Sequence, residues 1–414
     1  MLNAAARKWR VVLVFALCQA GCMAALQDGP TVAIVKGTDP NEMVAKALAL
    51  IGGLEGLVKE GDHVVIKPNL TYYYGPKNPR PGMTTDVRVV AGLVAALQKH
   101  AKCRITVAES SGTSTDRVFE AYGYTQLARR RGLKLVDLTG DEQVEVRKEG
   151  LSNPEYLMPK TTQTCNVLID VPVLKTHQLS AISVGMKNWY GLLPKSKPFH
   201  RGRYHEQVDE VLSDLVQISK PHLVVVDGLV AMEGQGPLNG KGVEMNLVLA
   251  GTDVVAVDAV AAAIMGFAPD TVKHLRVAKA RGLGECDLAK ITIKGEPIEK
   301  VRKKFKAPVA FPYTHPRDRR AMAKFRAAAG WRGRLRSQDL KLDPKQYPMI
   351  AKYPFEASRN RGDLRFKLGC NAFERPAMVD EIRKWLAEPL PTKPEATTHP
   401  ATAPAELVPS TYPR

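Results

Sequence analysis

Short runs that are apolar at nearly every position recur along this chain, and stretches of helical periodicity separate them. TVAIV from Thr31, VVI before Lys67, ITVA before Glu109, VLIDVPV from Val167 and LVVV before Asp227 are of this kind. A strand that is apolar on both sides has to be covered on both faces. Strands alternating with helices supply that cover in a mostly parallel sheet. The fold class read from the sequence is therefore α/β, a mostly parallel sheet with helices on both faces. The periodicity predicts helices at Asn41–Val58, Asp86–Lys99, Glu206–Ile218, Asp253–Met265 and Thr271–Arg281, and one over TDRVFEAYGYTQLARRR closed by Gly132. MNLVLAG and ITIKG read as further strands, and strand order is not legible from sequence.

Beyond this core the texture changes. Residues 1–25 have the form of a signal peptide, with a basic start (Arg7, Lys8, Arg10) and the apolar run VVLVFALCQAG. The run is shorter than the roughly 20 residues that span a bilayer. Cys22-Met23-Ala24 offers a cleavage site, and Cys22 also sits in a lipoprotein-like box. The expectation is export, periplasmic or extracellular, with lipid anchoring at Cys22 left open. Residues 31–306 form the α/β core and 307–387 a basic extension rich in arginine. Residues 388–414 are a Pro/Thr/Ala-rich tail whose composition predicts disorder.

The formal net charge of +18 over 414 residues implies anionic partners. An anionic small molecule, or an anionic membrane or wall surface, fits best. Nucleic acid is a poor candidate: it would call for aromatic residues interleaved on a stacking platform, and export separates the chain from such a partner. Outside the signal the cysteines Cys103, Cys165, Cys286 and Cys370 are isolated. No cysteine-ligated iron–sulfur cluster is expected, and buried thiols are preferred over disulfides.

Polar residues collect just past the carboxyl ends of the apolar strands, where open α/β sheets place their ligand crevice. They are Lys67-Pro68-Asn69, Glu109-Ser110-Ser111-Gly112, Lys175-Thr176-His177 and Asp227-Gly228, with Asp253 expected to join them. Lys187 and Asn188 follow in GMKNWYGLL. Lys67, Lys175 and Lys187 are candidate anion holders, and Asn69 and Asn188 would orient the ligand. The Ser110-Ser111-Gly112 loop precedes a helix and would offer N–H groups to an anion, or else Ser114 simply caps that helix. Glu109, His177 and Asp227 are the candidate proton movers; each has a structural alternative as a salt-bridge or hydrogen-bond partner. His200 and His205 lie in a basic loop, which argues against a metal. Gly234–Gly242 (GQGPLNGKG) lacks phosphate-loop spacing and reads as a mobile turn or lid. The sequon at Asn69-Leu70-Thr71 carries no force in a bacterial host.

KPN after the second strand, AESSG after the third, VPVLKTH followed by GMKNWYGLLP, and VVDGLVAMEGQGP resemble the domain of unknown function 362 family. Their order and spacing extend the resemblance over roughly Thr31 to Lys306. It implies a prokaryotic α/β protein without assigned chemistry. Some members append a ferredoxin-like segment, for which this chain lacks the cysteines. A second similarity, in the K-x-H segment followed by Gly-Met-Lys, is to the nickel-pincer lactate racemase family. It implies His177 and Lys175 or Lys187 facing a nucleotide-like cofactor or a hydroxy acid. The functional expectation is thus a cleft that binds an anionic small molecule and acts on it. The alternative is a non-catalytic envelope protein that holds anionic polymer or lipid through its basic extension. Under the first, Lys175→Ala or Lys187→Ala abolishes binding and leaves the melting temperature nearly unchanged.

Overall fold

The computed structural model describes residues 29–195, 200–205, 207–310, 352–353 and 369–375. It also gives the backbone of short strands at Tyr313–Thr314, Leu335–Arg336, Phe355–Asn360 and Asp363–Leu368, which form a small separate sheet. The stretch expected to be a signal peptide, the C-terminal tail and most of the basic extension lie outside these residues.

The core follows the alternation expected. Strands β1 (Thr31–Lys36), β2 (His63–Pro68), β3 (Arg104–Glu109), β4 (Lys134–Asp137), β7 (Val167–Val171), β10 (Leu223–Gln235), β11 (Asn239–Gly251) and β12 (Thr292–Gly295) build one sheet. Their order is β12-β1-β11-β10-β7-β2-β3-β4. Between β4 and β7, a two-stranded ribbon pairs β5 (Gln143–Val146) with β6 (Tyr156–Pro159). All β2, β3, β4, β7 and β10 pairings are parallel, apart from the β10–β11 hairpin.

The continuous apolar runs are explained by two cores. Val64 and Ile66 of β2, Ile169 of β7 and Val225 of β10 enter the core under α1 (Pro40–Leu50) and α2 (Val87–His100). Their neighbours Val65, Leu168, Val224 and Val226 enter the opposite core, against α5 (Val208–Ile218) and α6 (Val254–Ile264). Successive strand residues point to opposite faces, so each strand needs apolar residues at odd and even positions alike.

Helix ends differ from the periodicity where glycine intervenes. The first helix stops at Leu50, because Gly52 and Gly53 take positive φ of 99° and 81°. The single helix expected after β3 is two, α3 (Thr115–Ala121) and α4 (Tyr124–Arg131), separated by Gly123 at φ 83°. Gly132 closes the second as expected, at φ 68°.

Asp253 is a correction. β11 runs antiparallel to β10, pairing Gly251 with Val224 near the start of β10. Its carboxyl end therefore lies at the opposite rim from the other strand ends. There Asp253 caps α6, accepting from the N–H groups of Val255 and Ala256 at 2.8 and 3.1 Å.

Candidate functional site

Pro172 divides VLIDVPVLKTH into β7 and β8 (Val173–His177), both alongside β10. β9 (Ala181–Ser183) then folds back on β8, and one helical turn, Gly185–Asn188, carries Lys187 and Asn188 over the end of β2. The turn is fixed from below. Asp258 of α6 accepts from Gly185 N at 2.7 Å and Met186 N at 3.0 Å, and Asp170 of β7 accepts from Asn188 Nδ2 at 2.7 Å. A Cβ on Gly185 would lie 3.0 Å from Asp258 and 3.1 Å from Asp170, so only glycine fits between them. Burial pushes the Asp258 carboxyl up to about 7.

The result is a cavity of about 190 Å³ at the strand ends. Lys67, Asn69, Glu109, Ser110, His177, Lys187 and Asn188 line it, all anticipated from sequence. So do Thr71, Ser183, Tyr190, Gly191, Arg201, His205 and Pro237, which were not singled out as ligand contacts.

Lys67 is 1% exposed and pairs with Glu109 at 3.0 Å. Its amine also donates to Pro68 O at 3.1 Å and Asn188 Oδ1 at 3.3 Å, which engages all three N–H groups. Glu109 in turn accepts from Leu70 N and Ser110 N, both at 2.7 Å. The pair is therefore a saturated floor for the cavity. Gly191 completes it, since a Cβ there would fall 2.9 Å from Lys67 Nζ.

The two other lysines separate. Lys175 is fully buried and does not reach the cavity wall. Its amine donates to Asn69 Oδ1 at 2.6 Å and Met83 O at 2.8 Å, tying both ends of the loop between them. Lys187 lines the cavity, with its amine 4.2 Å above the Tyr190 ring. Burial pushes both amines down to about 7; for Lys187, the charges of Arg201, Lys175 and Lys67 add to it. Arg201 donates to Ser110 O at 3.3 Å and forms no ion pair among the described residues.

His177 has one ring nitrogen committed. Its Nδ1 accepts from Leu179 N at 3.0 Å and Ser180 N at 3.3 Å. Burial, then the nearby Lys187 charge, hold the imidazole well below its usual range. The ring is therefore neutral with its proton on Nε2, a fixed donor toward the cavity. Nitrogen-15 NMR should show the Nε2–H tautomer of His177 unchanged from pH 8 to about 5.5. An Nδ1–H signal, or titration near 6.5, would overturn this assignment.

Other anticipated residues serve the scaffold. Asp227 accepts from Asp86 N at 2.7 Å and Leu229 N at 2.9 Å, joining β10 to the start of α2 away from the cavity, and burial pushes it up to about 7. Gly228 packs its Cα against Leu247, where a Cβ would lie 3.0 Å from the carbonyl oxygen. The N–H groups of the Ser110-Ser111-Gly112-Thr113 loop are already taken, by Glu109, Thr115, Thr71 and Ser111 respectively. Ser114 caps α3. The capping alternative is the arrangement observed, and the loop offers no free cradle. The Gly234–Gly242 turn is docked, with Thr176 Oγ1 on Gly234 O at 2.9 Å and Gln178 N on Gly236 O at 3.1 Å. Cys103, Cys165 and Cys286 are free thiols, and burial pushes Cys165 up to about 11.

These features define an α/β protein with a half-open, cation-lined cavity at its parallel strand ends. The family model Domain of unknown function (DUF362) matches residues 64–263 of this chain. A curated relative, "Thylakoid-associated protein sll1697" of Synechocystis sp., is 28% identical over 274 residues, 65% of this chain and 77% of the relative. Among solved structures, the lactate racemase apoprotein from Thermoanaerobacterium thermosaccharolyticum is similar at TM-score 0.36 and 13% identity. That similarity covers 54% of each chain.

Proposed function

We propose that this chain binds an anionic small molecule, a carboxylate or phosphate ester, in the strand-end cavity and moves a proton on it. The observation that carries this reading is the distribution of charge. Lys67 and Glu109 neutralise each other, which leaves Lys187 and Arg201 facing the cavity with no carboxylate partner among the described residues. A cation pair recessed in a half-open cavity attracts an anion, because water screens it less there than at a fully exposed surface. At about 190 Å³ the cavity exceeds the roughly 150 Å³ void that admits benzene, so it suits a ligand of about that size. Lys187, with its pKa near 7, is matched to proton transfer at neutral pH, and His177 Nε2–H would donate to a carbonyl or oxyanion of the ligand. Export remains part of this proposal and would put the ligand outside the cytoplasm.

A thermal-shift screen against carboxylates and phosphate esters tests the reading. At least one anion should raise the melting temperature of the wild type, a ligand at 100 times its Kd adding about 2.7 kcal/mol. Lys187→Ala should abolish that shift while the unliganded protein melts within a few degrees of wild type. A shift equal in both proteins, or a response to cations and neutral molecules alone, would refute it.

A further inference from the structure

A second concavity of about 820 Å³ lies beside the first, and nothing in the cavity chemistry uses it. One wall is the loop Lys77–Pro81; the other is the β10–β11 hairpin at Val230 and Gly240–Glu244. Strand register places the two concavities on one face of the sheet. Met232 pairs with Lys175 of β8 and with Gly242 of β11, and Val230 pairs with Glu244. Paired residues share a face, and so do residues two apart on a strand. His177, in the cavity, is thus on the same side as Val230, Gly242 and Glu244, in the groove.

The segment from Asn69 to Thr85 crosses that face and separates the two. Its neck is closed by Asn69 N to Thr85 Oγ1 at 2.8 Å, by Thr85 N to Asn69 O at 2.9 Å and by the two Lys175 bonds already described. Beyond the neck the loop rests on the hairpin. A Cβ on Gly82 would lie 2.3 Å from Ala231 O, and one on Gly242 would lie 2.8 Å from Pro81 Cβ. Glycine is required at both positions for the loop to seat this closely. The groove is therefore a built feature whose walls are fixed by packing.

Its charge is one-sided. Lys77, Arg80 and Lys241 line it against the single carboxylate of Glu244, and none of the four forms an ion pair among the described residues. Arg80 is held ready, its guanidinium 5.0 Å from the Tyr74 ring centroid and its Nη1 3.4 Å from Asn239 Oδ1 across the groove. Lys303 adds a further amine nearby by donating to Glu244 O at 2.6 Å. An arginine fork flanked by amines matches the oxygens of a phosphate, and several cations together select a multiply charged one.

We propose that this groove is a second anion site, separate from the cavity, that takes phosphate-bearing ligands larger than the cavity admits. The phosphate can be that of a soluble polyphosphate or of a lipid headgroup.

The test uses the full chain, inorganic tripolyphosphate as the soluble probe, and vesicles of equal parts phosphatidylglycerol and phosphatidylcholine as the lipid probe. Three proteins are compared: wild type, the Arg80→Ala/Lys241→Ala double variant, and Lys187→Ala, each checked for an unchanged melting temperature. Calorimetric titration should show the double variant at least tenfold weaker for tripolyphosphate, with Lys187→Ala retaining the groove signal. If the source is lipid, the double variant loses cosedimentation with the vesicles instead, and wild type ignores vesicles of phosphatidylcholine alone. Either loss supports the groove. The proposal is overturned if the double variant matches wild type with both probes, or if Lys187→Ala removes the same signal. A failure of the cavity reading alone would leave the groove signal in place.

Discussion

Replacing Glu109 by alanine should destabilise the protein by about 3–5 kcal/mol, the cost of stranding one partner of a buried ion pair. The substitution leaves the Lys67 ammonium without its counter-charge at 1% exposure, and it takes the acceptor from Leu70 N and Ser110 N at once. Chemical denaturation checks it, through the midpoint at unchanged slope. The loss should be partly recovered in Lys67→Met/Glu109→Met, which removes both charges together at similar volume. A single variant within about 1 kcal/mol of wild type would mean that the pair is not the floor of the site. Lys175→Ala should also cost stability, because the fully buried amine ties Asn69 to Met83. That separates it from Lys187→Ala, although the two lysines look equivalent in the sequence.

The second large effect is in pH. The Lys187 amine titrates near pH 7 in the free protein, and an anionic ligand binds best to its charged form. Affinity should therefore be full well below pH 7 and fall as pH rises through that value. The decline approaches tenfold per pH unit, hence about fiftyfold from pH 7 to 9, until the amine of the complex itself titrates. Lys187→Arg keeps a charge throughout this range and should flatten the profile, while Lys175→Met should keep the decline and move its midpoint upward, since the Lys175 charge helps to hold Lys187 down. If the arginine variant retains the wild-type profile, the titrating group is elsewhere.

Much of this was legible because strand periodicity and strand-end position are local signals. The apolar runs of β2, β3, β7 and β10 announced a doubly covered parallel sheet, and Lys67, Asn69, Glu109 and His177 sit at the strand ends where such sheets collect polar groups. What the sequence concealed depends on which partner reaches which atom. Lys175 and His177 are two residues apart on one strand, yet one is consumed by Asn69 and Met83 and the other faces the cavity. Asp227 follows its strand as Glu109 does, but backbone N–H groups of Asp86 and Leu229 claim it. Asp253 was misplaced because a hairpin reversed β11, which an apolar run alone does not reveal. Arg201 and Gly191 gave little signal, since their roles arise only where the chain returns over the Lys67–Glu109 pair.

The central claim is that Lys187 and its neighbours hold an anionic small molecule. Native mass spectrometry of the protein purified from its own compartment tests it most directly, run beside Lys187→Ala prepared identically. The wild type should carry an added mass that collisional release identifies as an anion small enough for a cavity of about 190 Å³, and the variant should lack it. A wild type that carries nothing, or an adduct retained equally by Lys187→Ala, would contradict the account.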